Sequence, residues 1–197
     1  MSKTLIAGAV ALLSLAGSSA FAQGYVGGNI GESHASRGCG ATSAADVSFS
    51  CDKNDFAWKV YGGYQLPGTP WAGEVTYWDL GRFKANGTGF STTAKDTAWG
   101  LGAAYRPDFG SGWGGVARVG AAYGTSKVDY SLGTDGSGDH SKDSWHPYYG
   151  LGVNYALTKN VKLTADWDNT RVTSQIPTLS SSTAVVNTYS IGASFGF

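Results

Sequence analysis

Beyond residue 22 the sequence has no apolar run of the roughly 20 residues that a membrane-crossing helix needs. That excludes insertion as a helix but not as strands, which need only about 9–11 residues each. Charge is scarce: Lys+Arg and Asp+Glu number 14 each, and charged residues make up 14% of the chain, against the roughly 25% of an ordinary soluble domain. The two signs cancel. No basic excess exists for nucleic acid, and no acidic tail. No phosphate-cradling glycine loop opens a helix; the Gly-x-Gly patterns lie inside strand candidates, where they signal close packing. The two cysteines, with His34 as the nearest histidine, make a poor metal site. No cofactor motif is present. No linker or low-complexity tract divides the chain, which reads as one domain.

Glycine (30 residues) and aromatics (13%) are plentiful. The last stretch, Asn187 to Phe197, shows how they are arranged. Tyr189, Ile191, Ala193, Phe195 and Phe197 share one parity; Thr188, Ser190, Gly192, Ser194 and Gly196 share the other. In a strand the two sets face opposite ways. A greasy outside and a small, polar inside describe the wall of a transmembrane barrel. Mean hydropathy is only −0.16, as expected when apolar and polar positions alternate.

Residues 1–22 read as an export signal. Lys3 supplies the charge, Leu5 to Ala16 a short apolar run, and Ala20-Phe21-Ala22 a small-x-small cleavage site. Residues 23–197 then form the barrel domain. Eight alternating segments follow: 25–31, 56–65, 71–80, 98–106, 113–124, 148–157, 161–168 and 187–197. Outward positions include Val26, Ile30, Trp58, Val60, Trp71, Val75, Tyr77, Trp99, Leu101, Val119, Leu151, Val153, Leu163 and Trp167. In the third segment this parity turns Trp78 inward and Asp79 toward lipid, so either Asp79 lies above the hydrocarbon or a bulge flips the register.

The connections alternate in length. Leu66 to Pro70, Pro107 to Gly112 and Thr158 to Asn160 are tight turns; 32–54, 81–97, 125–147 and 169–186 are long loops. Unpaired strand edges are costly in lipid, so the sheet closes. The expected fold is all-β: an eight-stranded antiparallel up-and-down transmembrane β-barrel with short periplasmic turns and long extracellular loops. The competing reading, a soluble β-sandwich, needs the parity, the loop asymmetry and the export signal to coincide.

The stretches Y-G-G-Y-Q-L (61–66), G-E-V-T-Y-W-D-L-G-R-F (73–83), G-V-N-Y-A-L-T (152–158) and S-I-G-A-S-F-G-F (190–197) occur in an order and spacing that resembles the transmembrane domain of OmpA-like outer-membrane proteins. The resemblance implies the same barrel, placed in the cell outer membrane. The chain stops at the barrel, so the peptidoglycan-binding domain of many members is not expected. In the family an inward acid matching Glu74 meets a base on the seventh strand and acts as a gate. Here that base position is Thr164, the acid position on the sixth strand is Asn154, and the base position on the fourth is Gly102, so a pore should differ from the family's.

Parity sends Lys59, Arg118, Lys162, Glu74, Asp166 and Asp168 into the lumen, where eight strands leave room only for side chains. Such charges should pair, with Glu74 and Arg118 at similar depth as one pair. Cys39 and Cys51, both in the first long loop of an exported chain, read as a disulfide. An enzymatic reading would draw on His140, His146, Asp143 and Ser144, yet no nucleophile motif accompanies them, and the chain is expected not to be an enzyme. The expected role is structural and small-pore, in the outer-membrane bilayer. The C-terminal strand (Tyr189, Ile191, Phe195, Phe197) is the expected contact for the barrel-assembly machinery. The alternative is surface adhesion or reception through the long loops.

Overall fold

The structure is a computed structural model that describes residues 24–36, 50–87, 90–131, 137–174 and 182–197. The expected export signal (1–22) and Cys39 lie outside the described residues. Ten strands are present among the described residues: β1 (Gly24–Ala35), β2 (Ser50–Asp52), β3 (Asn54–Gln65), β4 (Trp71–Gly87), β5 (Phe90–Tyr105), β6 (Asp108–Gly110), β7 (Trp113–Ser131), β8 (Ser137–Ala156), β9 (Val161–Ser174) and β10 (Ser182–Gly196). Eight of them form the wall. Each pairs antiparallel with its chain neighbour, and β10 closes on β1 from Tyr25↔Gly196 to Ala35↔Val186. Closure leaves this wall without the free edges that lipid penalises. The short β2 extends the β4 edge, and β6 folds back on β7 within the Pro107–Gly112 turn. That turn places Gly110, Ser111 and Gly112 at positive φ (83°, 54° and 83°), the conformation glycine adopts at least cost.

The period-two pattern sorts the wall as its residues dictate. Ile30, Trp99, Leu101, Val119, Leu151 and Ile191 are exposed outward; Lys59, Glu74, Trp78, Arg118, Tyr148, Asp166 and Asp168 are buried inward. Along β7, Trp113 to Tyr123 spans about 25 Å of barrel height, at about 3.3 Å per residue and a tilt near 40°. That matches an apolar band about 25 Å tall. Tilted ring pairs mark its two borders on this side: Trp113–Tyr155 at 5.0 Å and Tyr123–Trp145 at 5.2 Å.

Of the two alternatives at Asp79, the structure shows a bulge, placed just after it. Trp78 points inward and Asp79 outward, and the bulge follows at once. Asp79↔Thr97 is succeeded by Arg82↔Lys95, so Leu80 and Gly81 face one residue of β5. Gly81 has φ +88°, and beyond it Phe83 is the buried residue. Asp79 caps the bulge, accepting from the Gly81 amide (3.1 Å) and facing Lys95 (3.6 Å).

The long connections differ from expectation. Strands β4 and β5 pair up to Gly87↔Phe90, and β7 and β8 up to Ser131↔Ser137. Most of 81–97 and 125–147 is therefore paired hairpin. Above the bilayer the outer face no longer meets lipid, so the apolar–polar contrast fades while the hydrogen-bond ladder continues. One seam ends early. Strands β8 and β9 pair only from Ala156↔Lys162 to Tyr149↔Asn169, although both continue. Beyond that point β9 leans inward across the mouth. A Cβ placed on Gly124, on the inner face of β7, would lie 2.7 Å from Val172 Cγ1. Thr173 meets the inner face of β8 instead, through His146 Nε2 (2.8 Å) and Ser144 Oγ (3.3 Å).

Candidate functional site in the barrel lumen

The lumen is filled in two layers. The lower one, toward the short turns, is ionic. Glu74 enters from β4, where its Cα partner on β5 is Gly102, which leaves the neighbouring wall bare. One carboxylate oxygen accepts from Arg118 Nε at 2.7 Å and from Thr76 at 3.3 Å. The other accepts from the Tyr25 hydroxyl at 2.9 Å and faces Arg106 at 3.9 Å. Arg118 bridges onward to Asp166 at 3.2 Å. Lys59 joins Asp166 (2.9 Å) to Asp168 (2.5 Å). The Asn29 amide donates to Asp166 at 3.0 Å, and Thr164 donates to Asn29 at 3.0 Å. Aromatic faces complete the layer: the Arg106 guanidinium lies 3.8 Å from the Tyr25 ring centre, and Arg118 lies 5.0 Å from that of Tyr61.

Of the six lumen charges read from parity, the structure brings together Lys59, Glu74, Arg118, Asp166 and Asp168. Lys162 is a correction. It is half-buried near the start of β9 and belongs to no ion pair within 4.0 Å among the described residues. Parity gives a face but no height, and Lys162 lies roughly 13 Å along the strand from Asp166 at about 3.3 Å per residue. The third cation is Arg106, just past the end of β5. Its inward parity is the available signal; its reach up the lumen to Glu74 on the neighbouring strand is not. Tyr25, Asn29 and Thr164 were likewise unassigned, because neutral inward residues look alike in sequence. Thr164 and Asn154 are Cα partners; Thr164 ties Asn29 to the network, and Asn154 donates to the Gly115 carbonyl at 3.3 Å.

The upper layer is dominated by apolar side chains, with Asp96 and Ser126 buried beside them. Trp78 and Tyr148 meet edge to face at 5.0 Å. They cluster with Leu80, Phe83, Val172 and Val186 and with Ala35, Ala98 and Ala122, all buried. A water file through the barrel would have to cross both layers. The remaining expectations fall elsewhere. His140, Asp143, Ser144 and His146 lie on β8 rather than in a loop, and the described contacts of His146 and Ser144 are to Thr173. Cys51 lies on β2; its expected partner Cys39 is outside the described residues. Tyr189, Ile191, Phe195 and Phe197 form the outward face of β10 and the C-terminus. Among the described residues no helix is long and apolar enough to cross a membrane.

Known proteins share this architecture. The Neisserial surface protein A superposes with a TM-score of 0.64 at 22% identity, covering 89% of this chain and 97% of that one. The outer-membrane protein OprG of Pseudomonas aeruginosa gives 0.55 at 16%, covering 88% and 96%. Ail, the attachment invasion locus protein of Yersinia pestis, gives 0.51 at 17%, covering 89% and 99%. At these identities the likeness is one of fold. Among curated proteins none matches significantly. The model of the outer membrane protein beta-barrel domain matches residues 4–197. The chain therefore belongs to the outer-membrane β-barrel protein family and resides in the cell outer membrane.

Proposed function

We propose that the protein is a structural outer-membrane barrel whose lumen is shut by its ion-pair layer, conducting only when that layer parts. One observation carries this reading: the side chains of Lys59, Glu74, Arg118, Asp166 and Asp168 are each at most 1% exposed. Charges lining an aqueous pore would be hydrated; these are buried and paired with one another. In planar bilayers the wild type should show no steady current, and Glu74→Ala should raise the frequency of small openings. Steady ohmic conductance in the folded wild type contradicts the closed lumen. Unchanged conductance in a folded Glu74→Ala barrel removes the gating role.

The family gate is not carried over, because Thr164, Asn154 and Gly102 replace its partners. Catalysis has no part in this reading. The outward aromatics of the C-terminal strand serve as the contact for the assembly machinery. Phe197→Ser should then lower barrel assembly in cells while leaving refolding into detergent intact; equal assembly would remove that role.

A second reading, surface interaction, is favoured by the β7–β8 hairpin. It stays paired well beyond the Tyr123–Trp145 border and exposes Lys127, Asp129, His140, Ser141 and Asp143. A stiff polar hairpin above the membrane is a presentation platform, and one fold neighbour is named for attachment and invasion. Cell-binding assays with this hairpin shortened separate the readings: undiminished binding rejects the hairpin, and lost binding with a folded barrel supports it.

A further inference from the structure

The outer wall is not uniformly convex. A groove of about 550 Å³ crosses β8, β9, β10 and β1. Register explains it. Ile30, Ile191, Ala165 and Val153 are successive Cα partners across those four strands. One methyl group thus interrupts a row of branched side chains. Leu151 and Trp167, themselves Cα partners, cover the upper end. Ala165 lies midway along β9 between Val161, at the short-turn end, and Asn169, the last residue paired with β8. The groove therefore sits near mid-bilayer depth.

We propose that this groove binds one acyl chain of a membrane lipid. It is continuous with the barrel–bilayer interface, so its occupant comes from the hydrocarbon. Its walls are apolar at this depth, and the Trp167 indole at the upper end is already committed, donating to Asn187 at 3.2 Å. A flexible chain lying over Ala165 gains contacts on its floor and both sides, where a chain on a convex wall has them on one side only. Dispersion contacts are individually small and add up along the chain. A second copy suits the groove less well. A two-fold contact centred there sets groove against groove, and the void forfeits the contacts of both linings.

The test uses the full chain refolded into phosphatidylcholine vesicles doped with phosphatidylcholine carrying a diazirine on its acyl chain. After illumination the labelled residues are mapped by mass spectrometry. Label should concentrate several-fold on Leu151, Val153 and Ile191 relative to Val75 and Leu101 on the opposite wall. Ala165→Phe, which fills the floor, should bring that excess down to the opposite-wall level. Ala165→Leu should give an intermediate value, and Ala103→Phe, an outward aromatic placed on the far side, should leave the excess intact. Even labelling of all eight strands in the wild type, or an excess unchanged in the folded Ala165 variants, overturns the proposal. Protection of the strip together with a cross-linked dimer assigns the groove to a second copy and also overturns it.

Discussion

Replacing Glu74 with alanine removes the carboxylate that accepts from Arg118 at 2.7 Å and from Tyr25 at 2.9 Å and that faces Arg106 at 3.9 Å. The side chains of Glu74 and Arg118 are each 1% exposed, so water neither screens the lost pair nor solvates the charge left behind. Removing one member of a buried pair costs about 3–5 kcal/mol. Arg118 retains Asp166 at 3.2 Å, which places the expected loss near the lower end, about 3 kcal/mol. Arg118→Met should cost a similar amount, since Glu74 would keep only Tyr25, Thr76 and the distant Arg106. The double variant should cost about 3–4 kcal/mol rather than the sum of about 6, the remaining loss coming from the void that alanine leaves at position 74. Replacing both members of a buried pair by neutral groups of similar volume is often nearly neutral, and Asp166 still has Lys59 at 2.9 Å. The cycle should therefore return a coupling of about 2–3 kcal/mol, at the upper end for residues in direct contact. Urea unfolding in phospholipid vesicles, followed by tryptophan fluorescence and gel mobility, measures all four corners. Single losses below about 1 kcal/mol that add within about 0.5 kcal/mol would refute the reasoning, because they describe a wet lumen with independent charges.

Two further outcomes follow from the same structure. Gly31→Val should abolish the heat-modifiable folded band, because a Cβ there runs into the Tyr189 carbonyl and the Ser190 backbone across the β1–β10 closure; a folded variant of wild-type stability would show that this closure is looser. We also propose that Cys39 and Cys51 form a disulfide, which should leave both thiols unreactive to maleimide in denatured, unreduced protein and reactive after reduction. Labelling before reduction would reject the bridge.

The wall was legible because lipid and a crowded lumen impose opposite demands on alternate residues. Every expected strand appears, and Lys59, Glu74 and Arg118 lie on the expected side. Height and company were not legible. Lys162 and Arg106 both carry inward parity, yet only Arg106 reaches Glu74, because the shear of a closed sheet decides which residues share a level. The bulge after Asp79 needed only Gly81 to be possible; the sequence did not say on which side of Asp79 it would fall. The outer hairpins were read as loops because the apolar–polar contrast ends where lipid ends, while backbone pairing does not. The inward lean of β9 beyond Asn169 left no periodic trace: it rests on Gly124 offering room for Val172 and on Thr173 finding partners on β8.

The central claim is that the exposed apolar face meets lipid while the ionic face is sealed inside. Val119 tests it most directly. It is 59% exposed and lies near the middle of the span between Trp113 and Tyr123. On a water-facing surface an arginine there would change stability by no more than about 0.5 kcal/mol. In a lipid-facing wall near mid-depth it should cost about 2–4 kcal/mol. The folding free energy of Val119→Arg in phospholipid vesicles should fall in that range, and a change within about 0.5 kcal/mol of zero would contradict the account.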